Sequence, residues 1–294
     1  MVQGKTVGGR IFKYFNFALI ALLCVICLLP MWHVLIASIS SPYEVGVAKG
    51  FMIFPKGKWN VEAYKIILNY KGVWNGYKNT LIYVLVQCAV TGFCSCIGGY
   101  VLSRKGFRYR GIFMLFLIIP MLFNGGLIPT YMVIQKIGLL DTFMVMIVPG
   151  AMGTFNFILM RFAMVNVPDS LQDAAKIDGA GEFRILFQII MPLCMATLAI
   201  VILFTAIGKW NDYFTALIYL PNRRDLYPLQ MYLKDILANA SNVTQASTVV
   251  QNATLYDKLV QYALIIVSSA PILCIYPFIQ KYFVKGILIG GLKG

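Results

Sequence analysis

Charge is scarce in this chain, acid and histidine most of all. Only 12% of its 294 residues are charged, 11 residues are Asp or Glu, and His33 is the single histidine. Soluble domains carry about a quarter charged residues, so an ordinary water-soluble fold is excluded. One histidine builds neither a proton relay nor a metal centre, and the few acids form no evident catalytic cluster. The Gly-x-x-x-x-Gly-Lys-Ser/Thr phosphate loop is absent, so the chain does not hydrolyse ATP by that motif. The seven cysteines (Cys24, Cys27, Cys88, Cys94, Cys96, Cys194 and Cys274) all lie in apolar blocks. Cys94-Ser95-Cys96 lacks zinc-ligand spacing, and the set reads as small core residues.

Apolar residues make up 60% of the chain and fall in long blocks. A bilayer core needs about 20 apolar residues per helix. Segments 15–39, 80–103, 111–134, 142–163, 193–220 and 260–283 meet that need, and none alternates as a barrel strand does. The fourth is interrupted by Pro149, Gly150 and Gly153; such breaks survive where the freed backbone lines protein or a cavity. The expected fold is all-α and polytopic, with six transmembrane helices in one membrane domain over 1–294. Lys5, Arg10 and Lys13 precede the first block as in a signal peptide. The block is too long for a typical apolar signal region and no clear small-x-small site follows, so it reads as an uncleaved first helix.

The net charge of +14 raises nucleic acid as a partner, but most cations sit between apolar blocks or at the termini, as topology signals do. Six arginines fall on the side that holds the N-terminus, and two, Arg223 and Arg224, on the other. Arg104, Lys105, Arg108 and Arg110 crowd one short loop on that first side. Short basic loops are held in the cytoplasm, so both termini are placed there. The opposite loop 40–79 carries six lysines and two glutamates; it reads as a solvated loop or as a lure for an anionic ligand or acidic partner. Segment 221–257 on the same side is polar and too long for a mere connection. Neither an internal repeat nor a low-complexity tract is evident.

The most informative stretch, 169–192, is cytoplasmic on this topology. Pro168-Asp169 signals a helix start. Leu171, Ala174, Ala175 and Ile177 can share an apolar face, Gly179 permits a turn, and Phe183, Leu186, Phe187 and Ile190 have helical spacing before Pro192. Two short amphipathic helices at a right angle form a knob, which suits a groove on a soluble partner. A hairpin lying on the membrane surface fits the same pattern.

The segment resembles the loop of ABC importer permeases: Glu-Ala-Ala, three residues, Gly, nine residues, then Ile-x-Leu-Pro. Here it reads Asp173-Ala174-Ala175, Gly179, and Ile189-Ile190-Met191-Pro192 at the same spacing, with Asp for Glu and Met for Leu. Ala174-Ala175-Lys176-Ile177-Asp178-Gly179-Ala180 is similar to the carbohydrate uptake class 1, or maltose-type, branch. Asn79-Thr80, Tyr100-Val101-Leu102-Ser103-Arg104 and Trp210-Asn211-Asp212-Tyr213 also look like family features. Phe123-Asn124-Gly125-Gly126 and Tyr276-Pro277-Phe278 resemble a subgroup for complex or uronate-containing oligosaccharides.

The resemblance implies a permease subunit that moves an oligosaccharide delivered by an extracytoplasmic binding lipoprotein. It implies a second homologous permease and two ATPase subunits, which bind ATP and Mg while this chain binds no cofactor. Coupling to the ATPase would fall to Asp173, Ala174, Ala175, Asp178, Gly179, Ala180, Phe183 and Arg184. Asn124, Asn156, Asn211 and Asp212 are candidates for the translocation pathway, and Tyr227, Gln230 and Tyr232 for binding-protein contact. Lys209 and Asp212, three residues apart inside a span, read as an ion pair bracing the helix, or else Asn211 and Asp212 read as cavity-lining or gating groups. His33, beside Trp32, reads as an interfacial or packing residue. A permease for a non-sugar solute, a secondary transporter and a membrane enzyme are the competing readings.

Overall fold

The computed structural model describes residues 7–48, 50–238 and 256–291, with side chains through residue 274. Helices are the regular elements throughout the described residues. Helix α1, Val7–Ser38, is apolar along its length, and its most apolar window is only 6% buried. So wide an apolar surface is stable only against lipid or another protein.

Two compact units are present: Met1–Lys71 with Asp235–Ala270, and Gly72–Lys234 with Pro271–Gly294. In the first, the end of α1 meets α2 (Pro42–Val47) and α3 (Glu62–Asn69), and Ala37, Ala63, Ile66 and Ile67 are buried. His33 has a packing role: its Nδ1 accepts the Met52 N–H at 3.0 Å, and its ring lies 4.9 Å from that of Phe51. Trp32 Nε1 donates to the Ile53 carbonyl at 2.9 Å, so adjacent rings pin one loop. Lys56, Lys58, Lys65, Lys71 and Lys78 are exposed, as the solvated reading of 40–79 expects, while Lys49 lies outside the described residues.

The second unit is organised by α4, Lys71–Ser103. It begins well before the apolar block, and a distant segment is fastened to it where that block opens. Asn79 Nδ2 donates to the Asp225 and Tyr227 carbonyls, Tyr83 Oη to the Leu226 carbonyl, and Thr80 Oγ1 accepts the Leu229 N–H. Towards its other end, Gly99 lets α4 approach α7, Thr154–Val165 (α5 and α6 lie between them in the chain). A Cβ at Gly99 would fall 2.8 Å from Met160 Cβ and 3.0 Å from the Arg161 nitrogen. Backbone cannot yield as a flexible side chain does. Gly99→Ala therefore costs about 1–3 kcal/mol, the usual range for overpacking, read as a lower unfolding midpoint in detergent. Gly111→Ala, whose Cβ meets open space, is the matched control with no such loss.

Three expected spans differ from continuous helices. The third divides into α5, Arg110–Leu122, and α6, Leu127–Lys136, bent by 118°. Gly126 sits at φ +87° with its N–H accepted by Asn124 Oδ1 at 2.9 Å, a turn open to glycine and closed to most residues. The fourth is a pair, Phe143–Gly150 and Thr154–Val165, bent by 47° at the glycine- and proline-rich break read from the sequence. The fifth stops at Trp210 and resumes at Phe214, around Asn211-Asp212-Tyr213. By length and composition, three helices (Val7–Ser38, Lys71–Ser103 and Asp257–Cys274) can each cross a membrane alone, or up to six spans if bent pairs count.

Candidate functional site

Segment 169–193 is built as two arms joined by a capped turn. The first arm is α8, Asp169–Ile177. Asp178 follows, and Gly179 takes φ +75°. The Ala180 N–H returns to the Ala175 carbonyl at 2.9 Å and the Gly179 N–H to the Lys176 carbonyl at 3.0 Å. These paired bonds are the Schellman arrangement, which requires a left-handed residue at this position. Gly181 leads into Glu182–Leu193, the second arm, whose centre, Ile185–Ile190, is a π-helical turn. It meets α11, Met195–Trp210 (α9 and α10 being the short ends of the arm, Glu182–Arg184 and Met191–Leu193), at 84°.

Burial divides the apolar residues differently from their periodicity. Ala175, Ile185, Leu186 and Ile190 enter a core with Cys96, Tyr100, Met160 and Met164. Gln172 is buried with them, at 6% exposed. Leu171, Ala174 and Ile177 do not share the buried face of Ala175, contrary to the sequence reading. Ile177 is 86% exposed and Phe183 72% exposed, so the turn presents an apolar crown to the outside. Asp173, Asp178 and Arg184 stand exposed around it, and Ala180 is half-buried.

Both arms are tied to the end of α4. Lys105 Nζ meets Asp169 Oδ2 at 2.6 Å on the first arm. On the second, Tyr100 Oη donates to Glu182 Oε2, and Glu182 Oε1 pairs with Lys176 across the turn at 2.9 Å. The Arg104 guanidinium lies 4.1 Å from the centre of the Tyr100 ring. These ties fix position more than stability, because exposed ion pairs are strongly screened. The Tyr100 hydroxyl and then Lys176 hold the Glu182 carboxyl below its ordinary range, and Lys105 does so for Asp169. Lowered carboxyl values place these ties above the ordinary carboxylate range; they are lost only as pH falls through the lowered values. Neutral-range pH changes leave them intact.

A second polar site lies deeper in the same unit. Lys209 Nζ pairs with Asp212 Oδ2 at 2.8 Å, with side chains only 9% and 17% exposed. Lys209 and Asp212 form the expected ion pair, and Asp212 also lines a cavity that Asn211 does not reach. Lys209, Asp212, Asn156 and Gln87 line one cavity of about 300 Å³. Asn211 does not join them, because its Nδ2 caps the Ile207 carbonyl at 2.9 Å. Asn124 is exposed and serves the turn at Gly126. Sequence reasoning missed Gln87, whose only signal was an amide amid apolar residues.

The loop residues proposed for partner contact are also separated. Tyr227 is a core residue, 6% exposed, packed with Tyr83, Tyr219 and Met231, which corrects its reading as a contact side chain. Gln230 and Tyr232 are half-buried, and Tyr232 Oη donates to the Arg224 carbonyl at 2.8 Å. The rest of that loop, 239–255, lies outside the described residues.

Known proteins fit this arrangement. The family model described as "Binding-protein-dependent transport system inner membrane component" matches residues 95–289. The polygalacturonan/rhamnogalacturonan transport system permease protein YtcP of Bacillus subtilis (strain 168) is 34% identical over 287 residues, 97% of this chain and 99% of that protein. Protein LplC of the same organism is 34% identical over 290 residues, 99% of this chain and 97% of that one. A crystal structure of a bacterial ABC transporter involved in the import of the acidic polysaccharide alginate has a chain of 30% identity and TM-score 0.83, covering 95% of this chain and 98% of that chain. The chain belongs to the family of binding-protein-dependent transport system inner membrane components, and is a permease subunit of an ABC importer and not an enzyme.

Proposed function

We propose that this permease carries an oligosaccharide across the bacterial cytoplasmic membrane, with segment 169–193 as the element that receives force from an ATPase subunit. The observation that carries the reading is the apolar crown of Ile177 and Phe183 on a turn tied to α4 through Asp169 and Glu182. An exposed apolar tip on a braced base fits a groove on a soluble partner. The same side chains on a membrane-surface hairpin would need lipid on a face ringed by Asp173, Asp178 and Arg184.

Six spans follow when each bent segment is counted once, with both termini cytoplasmic and the basic loop 104–110 beside the hairpin. Helix α5 alone, at 13 residues, reaches about 20 Å at the usual rise, short of a crossing of about 30 Å, and α6 turns back from it by 118°. A second homologous permease completes the pathway, and two ATPase subunits hold ATP and Mg. Segment 221–257 faces the binding protein, with Gln230 and Tyr232 as contacts and Tyr227 as their packed support. The sugar cargo rests on likeness to the polygalacturonan/rhamnogalacturonan permease and the alginate importer.

The test is reconstitution of the chain with its partner permease, ATPase and binding protein in liposomes. Hydrolysis is expected to rise only with sugar-loaded binding protein and to lose that response when this chain is left out. Sugar uptake by this chain alone on an ion gradient would replace the reading with a secondary transporter.

A further inference from the structure

Two backbone interruptions meet at the cavity that holds Lys209. One lies at Pro149 and Gly150, the other follows Trp210 where the helix stops before Asp212. Broken helices at membrane depth are tolerated where they line a cavity, and transporter binding sites recur there. The walls mix apolar side chains with polar groups that are incompletely paired. Gln87 is 3% exposed and its Nε2 donates to Thr91 Oγ1 at 3.0 Å, while its Oε1 is buried without a hydrogen-bond partner. Either orientation of that amide leaves one buried end unpaired, and a sugar hydroxyl, which both donates and accepts, satisfies it once the side chain turns toward the cavity it lines.

Hydrogen-bonding capacity is also unevenly matched in the pair. Asp212 has two donors, Lys209 Nζ through Oδ2 and the Thr215 N–H through Oδ1 at 3.0 Å. Lys209 has three donors and spends one on Asp212. A carboxylate entering a low-dielectric path needs a cation there. Of the cations in the apolar segments, Arg161 and Lys281 stand near segment ends, whereas Lys209 stands well inside 193–220.

We propose that this cavity is a subsite for one uronate residue of an acidic oligosaccharide. Lys209 Nζ takes the sugar carboxylate, Gln87 and Asn156 take ring hydroxyls, and Asp212 holds Lys209 between cargo molecules. At about 300 Å³ the cavity is at the small end of ligand sites, fit for one ring and not a whole chain. This inference rests on the oligosaccharide-permease reading above.

The experiment uses the complete transporter in liposomes, with trigalacturonate and neutral maltotriose as probes. Wild type, Lys209→Gln, Asp212→Asn and the double variant are compared. Lys209→Gln should slow trigalacturonate uptake by about tenfold or more, the scale of one lost charge-assisted bond. The double variant should stay equally slow, and in every variant carrying Lys209→Gln trigalacturonate uptake should fall by at least about fivefold more than any maltotriose uptake. Recovery of trigalacturonate uptake in the double variant would reduce the pair to a helix brace and overturn the subsite. Maltotriose uptake without trigalacturonate uptake in wild type would also overturn it, leaving the permease reading intact. Response to neither sugar would remove the oligosaccharide reading and the subsite with it.

Discussion

Ala175→Pro is expected to abolish ATP-coupled uptake while the chain still inserts and assembles with its partners. Ala175 lies at the buried centre of the first arm of the hairpin, 7% exposed. A proline inside a helix removes one backbone bond and drives its ring against the preceding turn, at a cost of about 3 kcal/mol or more. Here it also displaces the carbonyl that receives the Ala180 N–H, so the turn loses one of its two closing bonds. Gly179→Val gives an independent test by a different route. Its Cβ would meet nothing within 4 Å, so strain comes from φ +75° alone; a branched side chain there costs about 1–2 kcal/mol. Both changes lie outside the apolar segments, so membrane levels should hold. Stimulation of hydrolysis by loaded binding protein should fall by at least about tenfold for the proline, since each 1.4 kcal/mol is a factor of ten, and by less for the valine. Stimulation surviving both variants would dissociate this segment from coupling.

The hairpin shows what a single sequence reveals and what it conceals. Spacing located the turn, because Gly179 is a conformational requirement that leaves a mark in the chain. The inward face escaped periodicity, because Gln172 goes in and Ile177 stays out. Apolar spacing assigns apolar residues to the core of the same chain, and an exposed apolar tip breaks that premise. The ties to α4 were not readable either. Lys105 and Asp169 are 64 positions apart, Tyr100 and Glu182 are 82 apart, and exposed charges have no local signature of their partners. Hydropathy found the apolar blocks but treated 111–134 as continuous, since Gly125 and Gly126 lower mean hydropathy little while Gly126 turns the chain. The grip of Asn79, Thr80 and Tyr83 on residues 225–229 joins positions too far apart in the chain to be read from it. Tyr227 lies in the loop that the resemblance implies for binding-protein contact, whereas the chain folds it back into its own core.

Asp212→Leu is expected to stop transport while reducing the amount of chain in the membrane far less. Two separate functions end at that carboxylate. Its Oδ2 neutralises Lys209, and its Oδ1 caps the Thr215 N–H at the start of α12, Phe214–Tyr219. Removing one partner from a fully buried pair costs about 3–5 kcal/mol, but Lys209 opens onto a cavity that admits water and softens that loss. Leucine supplies neither a counter-charge nor an acceptor, whereas asparagine keeps the acceptor for Thr215. Uptake should therefore fall in the order wild type, Asp212→Asn, Asp212→Leu. Membrane levels should follow the same order over a much narrower range. Adding Lys209→Gln to Asp212→Leu removes the uncompensated ammonium and should raise the membrane level. On the proposed subsite, uptake of acidic sugar should not return with it, because the cation assigned to the cargo is gone. Normal uptake by Asp212→Leu would show that neither the ion pair nor the cap lies on the pathway. Recovery of both level and uptake in the double variant would make the pair a brace for the interrupted helix and nothing more.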